Sequence, residues 1–336
     1  MQKWLFLILV WFGQAQAAEP IQLRVAQLGP ADYRSIQQAI NQLPANDQWG
    51  IIRIGPGVYP EKIYLTRDRV VLAGAGKDQT IIQVAELRAN WLAQHPTDWG
   101  SAVVNINATD IALVQLTVRN HYGALTGDHR HQFAIRGFER ASRIITADCA
   151  VLADGADTLS LWNKTDGMYY HHQCRFEGHT DMVCPRGWAF FSQSHFINHR
   201  RSATLWHDGE LDSQQKLVVR DSVFEGIDGF LLGRRHYDAQ FYLIHNEYSN
   251  NMADRAIFRV NYPDEPGRDQ ANQWGDRIYI SQAEGSTALY PWLTDNLATH
   301  PQQLSADDIT PRWAFEGRWD PEADLAQIQH WLESEP

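Results

Sequence analysis

Residues 174–198 read CRFEGHTDMVCPRGWAFFSQSHFIN, and this stretch carries two copies of one short pattern. In each copy an aromatic residue is followed two positions later by Gly or Asn, at Phe176 with Gly178 and at Phe196 with Asn198. Similar apolar markers, each shortly followed by Asn, Asp or Gly, stand at Val118, Val151, Phe224 and Tyr248. Successive markers are between 20 (Phe176 to Phe196) and 33 (Val118 to Val151) residues apart. Irregular repeats of this size, built from short strands, predict the coils of a right-handed parallel β-helix, an all-β solenoid.

An ordinary β-sandwich is the alternative, and it would carry more hairpin signals. Asp-Gly pairs are the hairpin signals present, and most of them lie inside the repeat. Two helices are also expected, since apolar residues recur at helical spacing in two places: Ile36, Ala39, Ile40 and Leu43 within Tyr33–Leu43, and Leu325, Ile328 and Leu332 near the C-terminus. The first would be a short N-terminal capping helix, and residues 18–336 would form a single β-helix domain with a C-terminal tail.

The N-terminus has the pattern of an export signal. Lys3 precedes an apolar run from Trp4 to Phe12, and Ala15-Gln16-Ala17 is the small-x-small pattern of a cleavage site. The run is too short to span a bilayer, and no later stretch is apolar enough to do so. Residues 1–17 are therefore expected to be a signal peptide, removed from a protein that has no membrane span and is secreted or periplasmic.

Composition limits the partners and the disulfides. Lys and Arg number 29 against 40 Asp and Glu, a formal net charge of −11, which argues against nucleic acid because its binding depends on clustered cations. Three Cys allow one disulfide at most. Cys149 and Cys174 each stand two residues before a marker, so they occupy one position on adjacent coils. They form either a disulfide or a pair of buried thiols.

Two carboxylates occupy matching positions on the same adjacent coils. Asp157 follows the marker Val151 by six residues, and Asp181 follows Phe176 by five. Two acids held close together do not both ionise easily, so one stays protonated while the other is an anionic nucleophile or base. An Asp at a coil turn is also a common backbone cap, and the spacing alone leaves both roles open.

Four short motifs follow one another along the chain: Gly57-Val58-Tyr59-Pro60-Glu61, Gly155-Ala156-Asp157-Thr158-Leu159, Gly178-His179-Thr180-Asp181 and Leu232-Gly233-Arg234. They resemble the GxYxE, QDTL, GxVD and LGRPW motifs of the pectin methylesterases, in that family's order and spacing over residues 30 to 260. The strings at 184–188 and 206–209, CPRGW and WHDG, look like a divergent bacterial branch of that family.

The resemblance implies a carboxylate esterase that needs no metal or cofactor and acts on pectin. Asp181 would be the nucleophile that attacks the C6 methyl ester of a galacturonate. Asp157 would protonate the departing methanol and then activate water for the second half-reaction. Arg234 would hold Asp181 as an oriented anion through charge-assisted hydrogen bonds. We expect the protein to act as a monomer.

The family's oxyanion hole and sugar platform are altered in this sequence. Ala156 stands where the family has the Gln of QDTL, and losing one such donor typically removes about 2.7–4 kcal/mol of transition-state stabilisation. The family's other Gln, which opens QAVAL, falls at His131 or Gln132; Gln132 is the expected catalytic donor and His131 a substrate contact. His236 replaces the Trp of LGRPW and is a second expected contact, and Cys184 replaces a substrate-facing aromatic residue.

Candidate aromatic residues for stacking on sugar rings are Trp188, Trp206, Tyr169 and Tyr170, and core packing is the alternative for each. Other functions are also compatible with the sequence. One is an esterase acting on an acetylated polysaccharide or an acyl thioester. A Ca²⁺-dependent polysaccharide lyase is another, although its carboxylates would form a cage rather than a pair. The last is a carbohydrate-binding envelope protein with little or no activity.

Overall fold

The computed structural model describes residues 19–207, 212–269, 271 and 273–334. Within these residues the chain winds through three parallel sheets of ten, eight and eight strands. This architecture is the predicted right-handed parallel β-helix, and its helices are few. The predicted signal peptide lies outside the described residues. No helix in the described part is both long and apolar enough to cross a membrane.

Each full coil passes through sheets A, B and C in turn. Sheet A consists of Ile21–Val25, Gly50–Ile54, Val70–Gly74, Thr109–Val114, Ser142–Ala147, Met168–His172, Trp188–Ser192, Leu217–Arg220, Gln240–Ile244 and Arg277–Ser281. Sheet B consists of Gly57–Tyr59, Thr80–Val84, Thr117–Asn120, Ala150–Ala153, Arg175–Gly178, His195–Asn198, Val223–Gly226 and Glu247–Tyr248. Sheet C consists of Ile63–Leu65, Ala102–Ile106, Phe133–Gly137, Leu159–Leu161, Val183–Pro185, Ala203–His207, Leu231–Arg235 and Phe258–Arg259.

The markers of the sequence repeat form one continuous ladder in sheet B. The pairs in register are Val118 with Val151, Val151 with Phe176, Phe176 with Phe196, Phe196 with Phe224 and Phe224 with Tyr248. Consecutive aromatic rings of the ladder stack with centroids 4.6 to 5.4 Å apart, close to the distance between neighbouring strands. The repeat therefore marks one residue per coil, and these side chains fill the interior of the solenoid.

Helices close the solenoid at its start and cover one face. Ile36–Gln42 lies within the predicted helix, begins after Ser35 and buries Ile36, Ala39 and Ile40. Pro321–Glu333 contains the predicted C-terminal pattern, with Leu325 and Ile328 buried on the outer face of sheet A. The remaining helices are Arg88–Leu92, Tyr122–Thr126 and Pro311–Ala314, with 3-10 turns at Pro266–Arg268, Pro291–Leu293, Leu297–Thr299 and Ala306–Asp308.

Cys149 and Cys174 are buried free thiols rather than a disulfide. Each stands two residues before its ladder residue, in the shared position that the repeat predicted. The Sγ of Cys149 donates to the carbonyl of Leu113 at 3.3 Å, and that of Cys174 to the carbonyl of Thr146 at 3.3 Å. Both thiols are thus accommodated by backbone acceptors.

Candidate active site

The turn from sheet B into sheet C carries both predicted carboxylates. Asp157 precedes the strand Leu159–Leu161, and Asp181 precedes the neighbouring strand Val183–Pro185. Both residues have left-handed backbones, with φ of +61° and +53°, which Asp tolerates better than most residues. The amide of Asp157 donates to the carbonyl of Thr180 at 3.1 Å, which places the two turns side by side. Such backbone conformations cluster at functional sites.

Arg234, on the sheet C strand Leu231–Arg235, binds the Asp181 carboxylate with both arms of its guanidinium. The distances are 2.8 Å from Nε to Oδ1 and 2.5 Å from Nη2 to Oδ2. The Asp181 side chain is only 11% exposed, so the pair is largely removed from water. A paired fork of this kind fixes the orientation of a carboxylate and favours its ionised form.

The environments of the two carboxylates differ. The pKa of Asp157 is raised to about 6, chiefly by burial and in part by the charge of Asp181, while His131 and Arg186 act against the rise. Burial also raises the pKa of Asp181, but the hydrogen bonds and charge of Arg234 act against it. The arrangement therefore suits Asp157 to carry a proton and Asp181 to remain an anion.

The carboxylates line a pocket of about 260 Å³ whose walls are strongly basic. Five arginines of the described chain line it beside the two aspartates: Arg88, Arg136, Arg186, Arg234 and Arg268. The protein as a whole carries a net charge of −11, so this basic pocket is a local feature that attracts anions. Among the described residues, no three His, Cys, Asp or Glu side chains are grouped so as to hold a metal ion.

Trp162 is a candidate substrate contact that the sequence motifs did not reveal. It follows the sheet C strand after Asp157 and is 41% exposed. The guanidinium groups of Arg186 and Arg136 lie over its ring, 3.5 and 4.8 Å from the centroid, and its Nε1 donates to the Ser160 hydroxyl at 2.8 Å. A cleft of about 640 Å³ extends the pocket past these three residues. The position of Trp162, just after the strand that follows Asp157, is the sequence signal that would have identified it as a candidate.

The assignment of Gln132 as the catalytic donor is wrong. Gln132 is fully buried, its Oε1 accepts from the amide of Gly123 at 2.8 Å, and its Nε2 donates to the carbonyl of Asp128. Successive side chains of an extended segment point to opposite faces, so Gln132 faces the interior while its neighbour His131 faces the pocket. The His131 Nε2 lies 3.9 Å from Asp157 Oδ2.

Trp206 lines the pocket, although it is 7% exposed, whereas His236 does not line it. The guanidinium of Arg234 lies over the Trp206 ring, 4.9 Å from its centroid. The assignment of His236 as a substrate contact is wrong, because its side chain is 2% exposed. Its ring lies behind Trp206 and contacts the rings of Tyr237 and Tyr262, with centroids 4.1 and 4.7 Å away. His236 therefore supports the wall of the pocket from behind.

The structure corrects the prediction that Trp188 and Tyr170 form a sugar-stacking platform. Both lie in sheet A, 3% and 2% exposed, in a cluster with Trp319 and the rest of the C-terminal segment. The guanidinium of Arg318 lies 4.0 Å from the Trp188 ring centroid. Tyr169 points into the solenoid core. The structure thus places these three aromatic residues in packing layers, away from the carboxylates at the turn into sheet C.

Cys184, at the position of a family aromatic residue, is also buried. Its side chain lies under the pocket on the strand Val183–Pro185, and its Sγ donates to the carbonyl of Leu159 at 3.4 Å. The exposed aromatic surface beside the carboxylates is supplied instead by Trp162, from the neighbouring coil.

The fold and site thus define a class of protein: a parallel β-helix with two neighbouring carboxylates at the turn into sheet C, one of them bound by an arginine. The chain belongs to the pectinesterase family, whose sequence profile matches residues 22–210. Probable pectinesterase 67 of Arabidopsis thaliana is 24% identical over 220 residues, which are 61% of this chain and 60% of that protein. Pectinesterase A of Dickeya chrysanthemi is 31% identical over 114 residues, 32% of this chain and 31% of that protein. The first curated relatives are thus covered over about half to three fifths of their length.

Solved pectin methylesterases share the fold. The enzyme from Erwinia chrysanthemi superposes with a TM-score of 0.70 at 18% identity, covering 90% of this chain and 99% of that one. A pectin methylesterase solved in complex with a hexasaccharide gives 0.71 at 18% identity, with the same coverage. The carrot enzyme gives 0.55 at 16% identity, covering 75% of this chain and 92% of that one.

Proposed function

We propose that this protein is a carbohydrate esterase that hydrolyses the C6 methyl esters of galacturonan, with Asp181 as nucleophile and Asp157 as general acid and base. The observation that carries the proposal is the pairing of Arg234 with Asp181 beside a second, largely buried carboxylate. It supplies an oriented anion and a proton donor on adjacent coils, as a two-step ester hydrolysis requires.

The first half-reaction forms an acyl-enzyme. An Asp181 oxygen attacks the ester carbonyl carbon, and the electron pair of the carbonyl moves onto its oxygen. When that pair returns, the bond to the methoxy oxygen breaks, and Asp157 gives its proton to the departing methanol. The pKa of Asp157, raised by burial to about 6, favours a protonated acid at mildly acidic pH.

The second half-reaction restores the enzyme. Asp157, now a carboxylate, takes a proton from water, and the resulting hydroxide attacks the same carbonyl carbon. The bond to Asp181 breaks as the tetrahedral intermediate collapses, which leaves a galacturonate carboxyl and a free Asp181. Arg234 stabilises the Asp181 carboxylate as it departs.

The shape and charge of the cleft support an acidic polysaccharide as substrate. Galacturonan that is partly de-esterified carries free carboxylates, and the arginines around the pocket would neutralise them. Trp162 is 41% exposed and offers aromatic surface to a sugar ring in the adjoining cleft. With the leader-like residues 1–17, this substrate is consistent with a protein that acts, as a monomer, outside the cytoplasm.

Methanol release from highly methylated pectin by the purified protein, with and without EDTA, tests the proposal. Equal methanol release under both conditions is expected. Cleavage that yields unsaturated sugar ends and stops in EDTA would instead identify a Ca²⁺-dependent lyase. Binding of pectin without any methanol release would identify a carbohydrate-binding protein, and acetate release from an acetylated polysaccharide would identify a different esterase.

A further inference from the structure

Both positions at which the family places an amide donor lack one in this pocket. Ala156 has only a methyl group, and the Gln132 amide is bound to backbone on the interior side. An ester attacked by Asp181 nevertheless develops negative charge on its carbonyl oxygen, which requires a hydrogen-bond donor nearby. The question is which side chain of the pocket supplies that donor.

His131 faces the space that these amides leave. It forms an isolated parallel bridge with Ala156, and paired residues of a parallel bridge carry their side chains on the same side. Its Nε2 is 3.9 Å from Asp157 Oδ2, beyond hydrogen-bond range, so the acid does not occupy this nitrogen. The ring lines the same pocket as both carboxylates, Asp157 and Asp181.

Arg234, Arg88 and Arg136 each direct guanidinium donors to a carboxylate of the protein. Arg234 directs Nε and Nη2 to Asp181. Arg88 donates to both oxygens of Asp98 at 2.8 and 3.1 Å, and Arg136 donates to the same carboxylate at 2.6 Å. These contacts hold the guanidinium groups to the wall, whereas the His131 side chain is 53% exposed and lines the pocket.

We propose that His131 is a catalytic residue whose Nε2–H donates a hydrogen bond to the tetrahedral oxyanion, in place of the family's amides. The inference rests on the proposed esterase function. As the Asp181 oxygen bonds to the carbonyl carbon, the carbonyl electron pair moves to oxygen and accepts the hydrogen bond from His131. No proton is transferred to that oxygen, and the pair returns when the bond to the methoxy oxygen breaks.

Substitutions at His131 and Ala156 test the assignment through methanol release from methylated pectin. His131→Ala is expected to lower kcat by about 10²–10³-fold, with KM changed less than about threefold, because the contact forms only in the transition state. His131→Gln keeps a donor and should retain kcat within about tenfold of wild type. Ala156→Gln should lower the wild-type rate by crowding the ring, yet raise kcat of the His131→Ala variant by about tenfold or more.

His129→Ala is the matched control, since His129 lies in the same turn and outside the pocket lining, with its ring stacked on His179 at 4.4 Å. Its kcat should stay near that of wild type. If His131→Ala keeps kcat within about threefold of wild type while Asp181→Asn is inactive, the role of His131 is wrong and the esterase function stands. If the wild-type protein releases no methanol, the esterase function fails and the inference with it.

Discussion

Arg234 donates two hydrogen bonds to the Asp181 carboxylate, at 2.8 and 2.5 Å, while Asp157 on the preceding coil faces His131 Nε2 at 3.9 Å. One carboxylate is therefore fixed by a guanidinium, and the other is held in a buried site without such a fork. This asymmetry gives two chemically equal side chains different protonation behaviour.

Arg234→Lys should weaken the enzyme by changing Asp181. A lysine keeps the charge but loses the planar fork, so burial raises the pKa of Asp181 with less opposition. We expect kcat/KM to fall about 10–100-fold and its acidic limb to move to higher pH. Arg235→Lys is the control, because Arg235 pairs with Asp276 away from the pocket. A loss of rate without movement of the acidic limb would contradict the proposed role of Arg234.

The pH dependence should report the proton on Asp157. Since acylation needs this acid protonated and the pKa of Asp157 is about 6, kcat/KM should fall as pH rises above about 6. The decline should approach tenfold per pH unit, because one proton is lost. Initial rates of methanol release at subsaturating pectin between pH 4 and 9 measure it. A profile that keeps rising through pH 8 would exclude Asp157 as the general acid.

The stability of the fold should also depend on Asp157. Its folded-state pKa of about 6 lies above the ordinary 3.8, so its contribution to folding is fully present below about pH 3.8 and is lost as pH rises through 6. The loss corresponds to roughly 3 kcal/mol. Asp157→Asn should therefore raise the free energy of unfolding at pH 8 by up to about 3 kcal/mol and leave it nearly unchanged at pH 3.5. Urea denaturation at both pH values measures this, and equal effects at both would refute the burial argument.

Substitution of Trp162 should change KM, whereas substitution of Trp188 should change stability. Trp162→Ala removes an exposed ring from the cleft, so we expect KM for pectin to rise roughly tenfold with little change in thermal stability. Trp188→Ala removes a buried ring from the layer between sheet A and the C-terminal segment, which should cost about 3–5 kcal/mol and leave KM unchanged. Kinetics and denaturation of both variants check this. A larger KM effect at Trp188 than at Trp162 would restore the platform first predicted from the sequence.

The coils were predictable because the repeat marks one interior residue per turn. Val118, Val151, Phe176, Phe196 and Phe224 pair in register with the next marker along sheet B, so counting from a marker located Asp157 and Asp181 on adjacent turns. Local spacing carries this information since neighbouring coils are also neighbours in sequence.

The errors arose where spacing does not determine the side that a residue faces. A one-residue shift exchanges the two faces of a strand, so the motif spacing does not distinguish Gln132 from His131, although only His131 lines the pocket. Trp188 and Tyr170 were misplaced for another reason. The C-terminal segment, more than a hundred positions later in the chain, covers both side chains. No local pattern in the coils indicates that contact.

Methanol release by Asp181→Asn, compared with wild type on highly methylated pectin, tests the proposed mechanism most directly. The amide has nearly the same shape as the carboxylate but is not a nucleophile, so the fold should persist and the rate should fall below about a hundredth of wild type. Circular dichroism and the unfolding midpoint establish that the variant is folded. A folded Asp181→Asn variant that keeps more than that fraction of the wild-type rate would contradict the nucleophilic role of Asp181.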